Sequence, residues 1–218
     1  MLKTVFALLS FLIAAVAFGI GAVRILRGKK PLYFKLLVCA AGCYAIAGLS
    51  ALVGLWCGVT ESVSVGMLGI FGCNFFLLSA NFGTLDKIVD DGNGSEKARP
   101  LAVIAPVVMA AAAVFTFLAW KEKDAFCAAV WVVMLLPALP ASYFNLKHIL
   151  LPTDPFGFLP ATKPCNITAL VFYGTTAASV IGSALGNDLS AGILSAFPSL
   201  AVLGLTLAAD KGAKRWGI

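Results

Sequence analysis

"PLAVIAPVVMAAAAVFTFLAW", Pro100–Trp120, runs for 21 residues without a charge. As an α-helix it would be about 30 Å long, the thickness of the hydrocarbon core of a bilayer. Lipid offers no partner to backbone N–H and C=O groups, so a helix that bonds its own backbone is the expected form. Six further charge-free runs flank it: Thr4–Val23, Leu36–Thr60, Ser62–Leu85, Ala125–Leu146, Pro164–Asn187 and Leu189–Ala209. Each reaches the roughly 20 residues needed to cross. The stretch Ile149–Thr162 is also fairly apolar, but Asp154, Pro152, Pro155 and Pro160 interrupt it, so it reads as an interfacial loop.

Composition agrees with this reading. Of 218 residues, 61% are hydrophobic and 12% charged, and the mean hydropathy is +0.97. A soluble domain of this size carries about 25% charged residues. The expected fold is an all-α integral membrane protein, a seven-transmembrane-helix bundle forming one domain over residues 1–218 with no soluble domain. The opening "MLKTVFALLSFLIAAVAFG" has a lysine and an apolar run, as a signal peptide does. Its run exceeds the roughly 7–15 residues usual there and no clean A-x-A site follows, so a retained first span is expected.

Lys and Arg set the orientation. With the N-terminus outside and the C-terminus cytoplasmic, 13 of the 16 cations fall on inner loops and helix ends, and Lys3, Lys121 and Lys123 fall outside. The positive-inside rule favours that arrangement in the cell membrane. It also accounts for the net charge of +6 through anionic lipid, without nucleic acid as a partner.

Polar residues inside the spans are the candidate site. In "YGTTAASVIGSALGND", Gly174, Ala178, Gly182 and Gly186 recur every fourth position, a small-residue face for close helix packing. One step round, Thr175, Ser179 and Ser183 form a hydroxyl stripe, which either bonds its own helix or lines a cavity. Asn74 and Asn81 share a face of the third span two turns apart and should point inward, bridging helices or lining the same cavity. In "LLPALPASYFNLKH", Pro137 and Pro140 deprive the carbonyls of Val133 and Leu136 of their usual donors, so the fifth span should kink or loosen above Tyr143 and Asn145. Pro198 should do the same to the seventh.

The third span leaves the membrane through "DKIVDDGNGSEKAR", which carries Asp86, Asp90 and Asp91. The plain reading is a solvated helix end, and carboxylates there should be replaceable without loss of the fold. The alternative is a cytoplasmic-face acidic site able to hold Mg²⁺ on a phosphorylated lipid, with Lys147 and His148 nearby. His148, the one histidine, reads as a solvated or capping group. The six cysteines form no zinc pattern, although Cys57 and Cys127 both fall near the outer face and could be bridged. No phosphate loop or nucleophile elbow occurs, and the seventh span has no lysine for retinal. No metal or cofactor is expected.

The first three and last three spans run in the same directions. "KP" precedes the second span of each half, at Lys30-Pro31 and Lys163-Pro164, and "LDK" and "ADK" close the third. That layout resembles the 3+1+3 parallel repeat of SWEET-type transporters, in topology alone. The leading expectation is a small-solute transporter or permease with a polar cavity between spans three, five and six, lined by Asn74, Asn81, Tyr143, Asn145, Thr175, Ser179 and Ser183. A membrane sensor or partner subunit, bound to another membrane protein, is the first alternative. A lipid-modifying enzyme is the second, although an enzyme is less expected than a non-enzyme.

Overall fold

A computed structural model of the chain describes residues 2–58, 64–86, 95–151, 159–186 and 188–215. Among them the secondary structure is entirely helical. The helices are α1 (Leu2–Leu26), α2 (Leu32–Cys57), α3 (Val65–Ala80), α4 (Ser95–Ala102), α5 (Ile104–Lys121), α6 (Ala125–Leu135), α7 (Ala138–Leu150), α8 (Leu159–Ala184) and α9 (Asp188–Arg215). Six segments are long and apolar enough to cross a membrane: Lys3–Leu26, Leu32–Cys57, Val65–Leu85, Ala98–Trp120, Ala125–Leu150 and Ala161–Ala184. The protein is thus a multi-pass helical bundle suited to a membrane.

The helices pass round a ring. α1 packs on α2, α2 on α3, α3 on the α6–α7 pair, α7 on α8, α8 on α9, and α9 returns to α1. α5 stands outside the ring against α6, α7 and α8. The interior is rich in alanines, among them Ala14, Ala17, Ala40, Ala41, Ala138, Ala141 and Ala169, packed with Phe34, Phe172, Tyr173 and leucines such as Leu37, Leu77 and Leu205. Large aliphatic and aromatic residues such as Leu8, Leu12, Val16, Val107, Val108, Phe115 and Leu118 face outward. Alanine in the interior and large apolar side chains on the exterior are expected when lipid solvates the exterior and close backbone approach holds the interior.

Prolines decide where the spans break. Pro137 has no N–H for the Val133 carbonyl, and Pro140 has none for Leu136. Both carbonyls are nonetheless satisfied, by donors only three residues away: Leu136 N–H to Val133 O at 3.2 Å and Leu139 N–H to Leu136 O at 3.1 Å. The tightened turn divides the fifth span into α6 and α7, the loosening expected from the sequence. Pro106 acts similarly on the fourth span by denying a donor to the Ala102 carbonyl, and the helix breaks at Val103 between α4 and α5. α9 remains helical across Pro198, and α8 across Pro164. α8 begins at Leu159, earlier than the expected Pro164, because Pro160 falls in a first turn that tolerates it. Of the expected interfacial loop, 152–158 lie outside the described residues.

A close helix crossing lies between α2 and α3. A Cβ added to Gly69 would sit 2.6 Å from the Cys43 carbonyl oxygen and 2.9 Å from Ala47 Cβ. On the expected α8 stripe, Gly182 is buried and Ala178 half-buried, but Gly174 is exposed with nothing within 4 Å of its would-be Cβ. Gly186 lies just past the end of α8, where its φ of +77° places it in the left-handed region. The four residues therefore form no continuous packing face. The spacing is right for one, but the ring turns Gly174 outward and uses Gly186 as a turn residue.

Gly69→Ala should lower the detergent melting temperature, since backbone on both sides must move. Gly174→Ala should match the parent or exceed it by up to about 1 kcal/mol, the gain from removing a helical glycine. Equal melting of the two variants would misplace the crossing.

Candidate functional site

A cavity of about 260 Å³ opens at the end of the ring where α1 begins. Lys3, Ala7 and Ser10 of α1 line one side, and Ala47, Gly48, Ala51 and Leu55 of α2 the next. Ile70 of α3, Trp131 of α6, and Thr176, Ser179 and Ser183 of α8 complete the wall with Ser195 and Pro198 of α9. The space exists because small side chains meet here where larger ones would fill the ring. Ser10 donates to the Ser195 carbonyl at 3.1 Å and joins α1 to α9 across the wall. Ser183 bonds the Ser179 carbonyl of its own helix at 2.9 Å, and Thr175 likewise returns to Val171 at 2.7 Å.

Polar side chains below the cavity are drawn into packing. Asn74 is buried and donates to the Met134 carbonyl at 3.0 Å, on the last turn of α6 before the break. Asn81 is buried and donates to the Leu77 carbonyl of its own helix at 3.1 Å. Asn145 is buried and donates to the Tyr173 hydroxyl at 3.2 Å, joining α7 to α8. Tyr143 is half-buried, its ring edge-on to Phe144 with centroids 5.3 Å apart.

At the opposite end of the ring, α3 passes into a π-helical turn, Asn81–Leu85. The Asp86 N–H closes it on the Asn81 carbonyl, five residues back. Such turns rotate the chain beyond them and recur at functional positions. Here Asp86 meets α7: Lys147 Nζ lies 2.6 Å and His148 Nε2 3.0 Å from the same carboxylate oxygen. His148 is 0% exposed and Lys147 3%, while the Asp86 side chain keeps 19%. Lys147 also lies 5.8 Å from the Phe144 ring centre, within cation–π range. Partial burial pushes the Asp86 carboxyl up, but hydrogen bonds from His148 and Lys147 and their charges outweigh it. Its pKa therefore lies below the ordinary 3.8. An ionised carboxylate only accepts, so Nε2 of His148 carries the hydrogen. At the same end Arg24 of α1 reaches Asp210 of α9 at 3.6 Å.

The expected cavity between spans three, five and six thus divides. Ser179 and Ser183 line the cavity, whereas Asn74, Asn81, Asn145 and Thr175 are engaged elsewhere with backbone or a hydroxyl. Asp86 is a paired group and not a solvated helix end; Asp90 and Asp91 lie outside the described residues. His148 is fully enclosed, contrary to its reading as a solvated residue. Cys57 is exposed and Cys127 buried, and no disulfide joins them. Among the described residues no three His, Cys, Asp or Glu side chains gather as metal ligands. Trp131 and Thr176 were not among the residues expected to line a cavity. Thr176 directly follows Thr175, and which of the two faces inward depends on how the ring rotates α8. The signal for Lys147 was available: an ionisable side chain just inside a span end requires a partner.

No family model, no curated protein and no solved structure matches the chain.

Asp86 is the group whose titration should register in stability. Its folded pKa lies below its unfolded value, so its contribution is present above about pH 4 and disappears as the pH falls through the folded pKa. The parent melting temperature should therefore drop on the acid side more steeply than that of Asp86→Asn. At neutral pH that variant should be less stable by up to about 3 kcal/mol, because it leaves Lys147 with a neutral partner. Parallel pH–melting curves for the two proteins would contradict the pairing.

Proposed function

We propose that this chain is a permease for a small solute, a seven-span protein of the cell membrane in which α9 forms the seventh span. The carrying observation is the contrast between the two ends of the ring. A cavity with hydroxyls on its wall enters at one end. At the other, a partly exposed carboxylate joins α3 to the enclosed Lys147 and His148, with a separate cavity of about 310 Å³ between α8 and α9 lined mainly by apolar residues. With the N-terminus outside, as the distribution of cations favours, the cavity faces outward and the cluster is the cytoplasmic closure. An outward-open carrier has this asymmetry, and alternating access requires the closure to open when the cavity shuts.

Two further features support the reading. Both halves of the ring follow the same circular order, α1–α2–α3 and α6/α7–α8–α9, joined through α3 with α6/α7 and through α9 with α1. Two parallel repeats related by an axis along the membrane normal would make those junctions equivalent. The fifth span is also broken between cavity and closure, which allows its two parts to move separately. The lipid-modifying alternative would use Asp86 and His148, but both His148 and Lys147 are enclosed and in the observed state offer no room for a lipid headgroup.

The test is uptake into proteoliposomes of labelled uncharged amides, polyols, sugars and small carboxylates. Protein-dependent uptake of at least one class is expected. Ser183→Cys, treated with a bulky membrane-impermeant maleimide, should lose most of that uptake, while treated parent protein should not. Uptake that survives labelling at residue 183 would remove the cavity from the pathway. No uptake of any class would count against the permease reading.

A further inference from the structure

Thr176 separates this cavity from an ordinary packing defect. It lines the wall, is 3% exposed, and its hydroxyl has no hydrogen-bond partner. A buried threonine in a helix usually returns its hydroxyl to a carbonyl one turn back, as Thr175, Thr116 and Thr206 do here. Thr176 does not. Along α8 it lies two turns further into the bundle than Ser183, beyond easy reach of bulk solvent. Trp131, across the cavity on α6, supplies a second enclosed polar atom. Its indole N–H has no acceptor beyond the weakly accepting Cys127 thiol. Leaving such groups unmade is costly in a dry wall.

The chemistry of the missing partner is set by these atoms. An indole N–H can only donate, and a hydroxyl both donates and accepts. Together they suit a carbonyl oxygen beside an N–H. Toward α2 and α3 the wall is largely apolar, through Ala47, Ala51, Leu55 and Ile70 beside Tyr44, and suits a compact apolar body, while Ser10 and Ser183 on the other walls already bond backbone carbonyls. Lys3 is the charged group in the lining and belongs to the first turn of α1, at the mouth. Two neutral donors in a low-dielectric wall compensate a carboxylate poorly. We propose that the cavity binds a small uncharged solute bearing a carboxamide, whose carbonyl oxygen and N–H engage Trp131 and Thr176 while its apolar part fills the space toward α2. This rests on the permease reading for its biological use, but the binding itself does not. A carboxamide is also poorly soluble in hydrocarbon, so a carrier for one has a purpose.

The probes are 4-bromobenzamide, 4-bromobenzoate and 4-bromotoluene, which share one body and differ in the head. Bromine quenches indole fluorescence on contact, so binding to detergent-solubilised full-length protein is read as saturable quenching. The expected order is saturation with the amide and none with the carboxylate at neutral pH. The toluene should bind more weakly than the amide. Trp131→Phe should abolish the saturable part, leaving the linear quenching of exposed Trp56 as an internal control. Thr176→Val should weaken the amide roughly five- to ten-fold, the loss of one hydrogen bond, without weakening the toluene. Its melting temperature should equal or exceed the parent's, because a methyl replaces an unpaired hydroxyl. Equal affinity of parent and Thr176→Val for the amide would overturn the proposal, as would a destabilised Thr176→Val or preference for the carboxylate. Saturable amide binding with no uptake of any solute class in vesicles would uphold this site and reject the permease reading instead.

Discussion

The bond from Asn74 Nδ2 to the Met134 carbonyl, 3.0 Å long, is the junction on which the ring depends. In lipid a helix must satisfy its own backbone or borrow a partner from a neighbour. The fifth span cannot satisfy its own, because Pro137 and Pro140 remove two donors within one turn. Local three-residue bonds repair Val133 and Leu136. Met134, beside the break, takes its donor from α3. That requirement fixes the rotation of α3, since Asn74 must face α6. It then fixes where Asn81 points two turns later, and with the π-turn it brings Asp86 onto α7. One backbone carbonyl thus orients α3 at its junction with the fifth span.

Packing around that junction is governed by side-chain size. With little hydrophobic force between helices in lipid, close approach supplies the attraction, and many contacts of about 0.1–0.2 kcal/mol add up only where small residues permit it. Gly69 against the Cys43 backbone and Ala47 is such a case. Small residues towards the start of α1 and the end of α2 have the opposite effect, since no bulky neighbour fills the space they leave, and a cavity opens. The Asp86 cluster is a different kind of contact. Taking Lys147 almost fully out of water offsets much of the attraction it gains, so such pairs specify an arrangement more than they stabilise it.

Most of the architecture was legible in the sequence because lipid imposes a length on every span. The breaks were legible too: Pro137 and Pro140 named their two carbonyls correctly, since a missing N–H is a local fact. The features that stayed hidden depended on rotation about helix axes. Gly174 and Gly182 have identical spacing credentials, yet one faces out and the other is buried. Thr175 and Thr176 are neighbours with the same chemistry, and tertiary packing alone decides which meets the cavity. The sequence places Asp86 and His148 at one membrane face, but their direct pairing follows the π-turn after α3, which no residue pattern announces. Polarity was a sound guide to which residues matter and a poor guide to their use, because an amide that bridges helices and one that lines a cavity look alike in sequence.

The break in the fifth span also separates two contacts of unequal character. α6 is held to α3 by Asn74 deep in the bundle, where water cannot replace the amide. Parting that bond would leave two unsatisfied groups in a dry interior. α7 is held to α3 by Asp86, which already meets water on 19% of its side chain. When that contact parts, solvent can hydrate the carboxylate and the lysine, so separation costs much less than the attraction alone suggests. A motion at Leu136–Pro137 would therefore swing α7 while α6 and the cavity wall stay in place. The contact of α7 is thus the one that solvent can part, and the contact of α6 is the one it cannot reach.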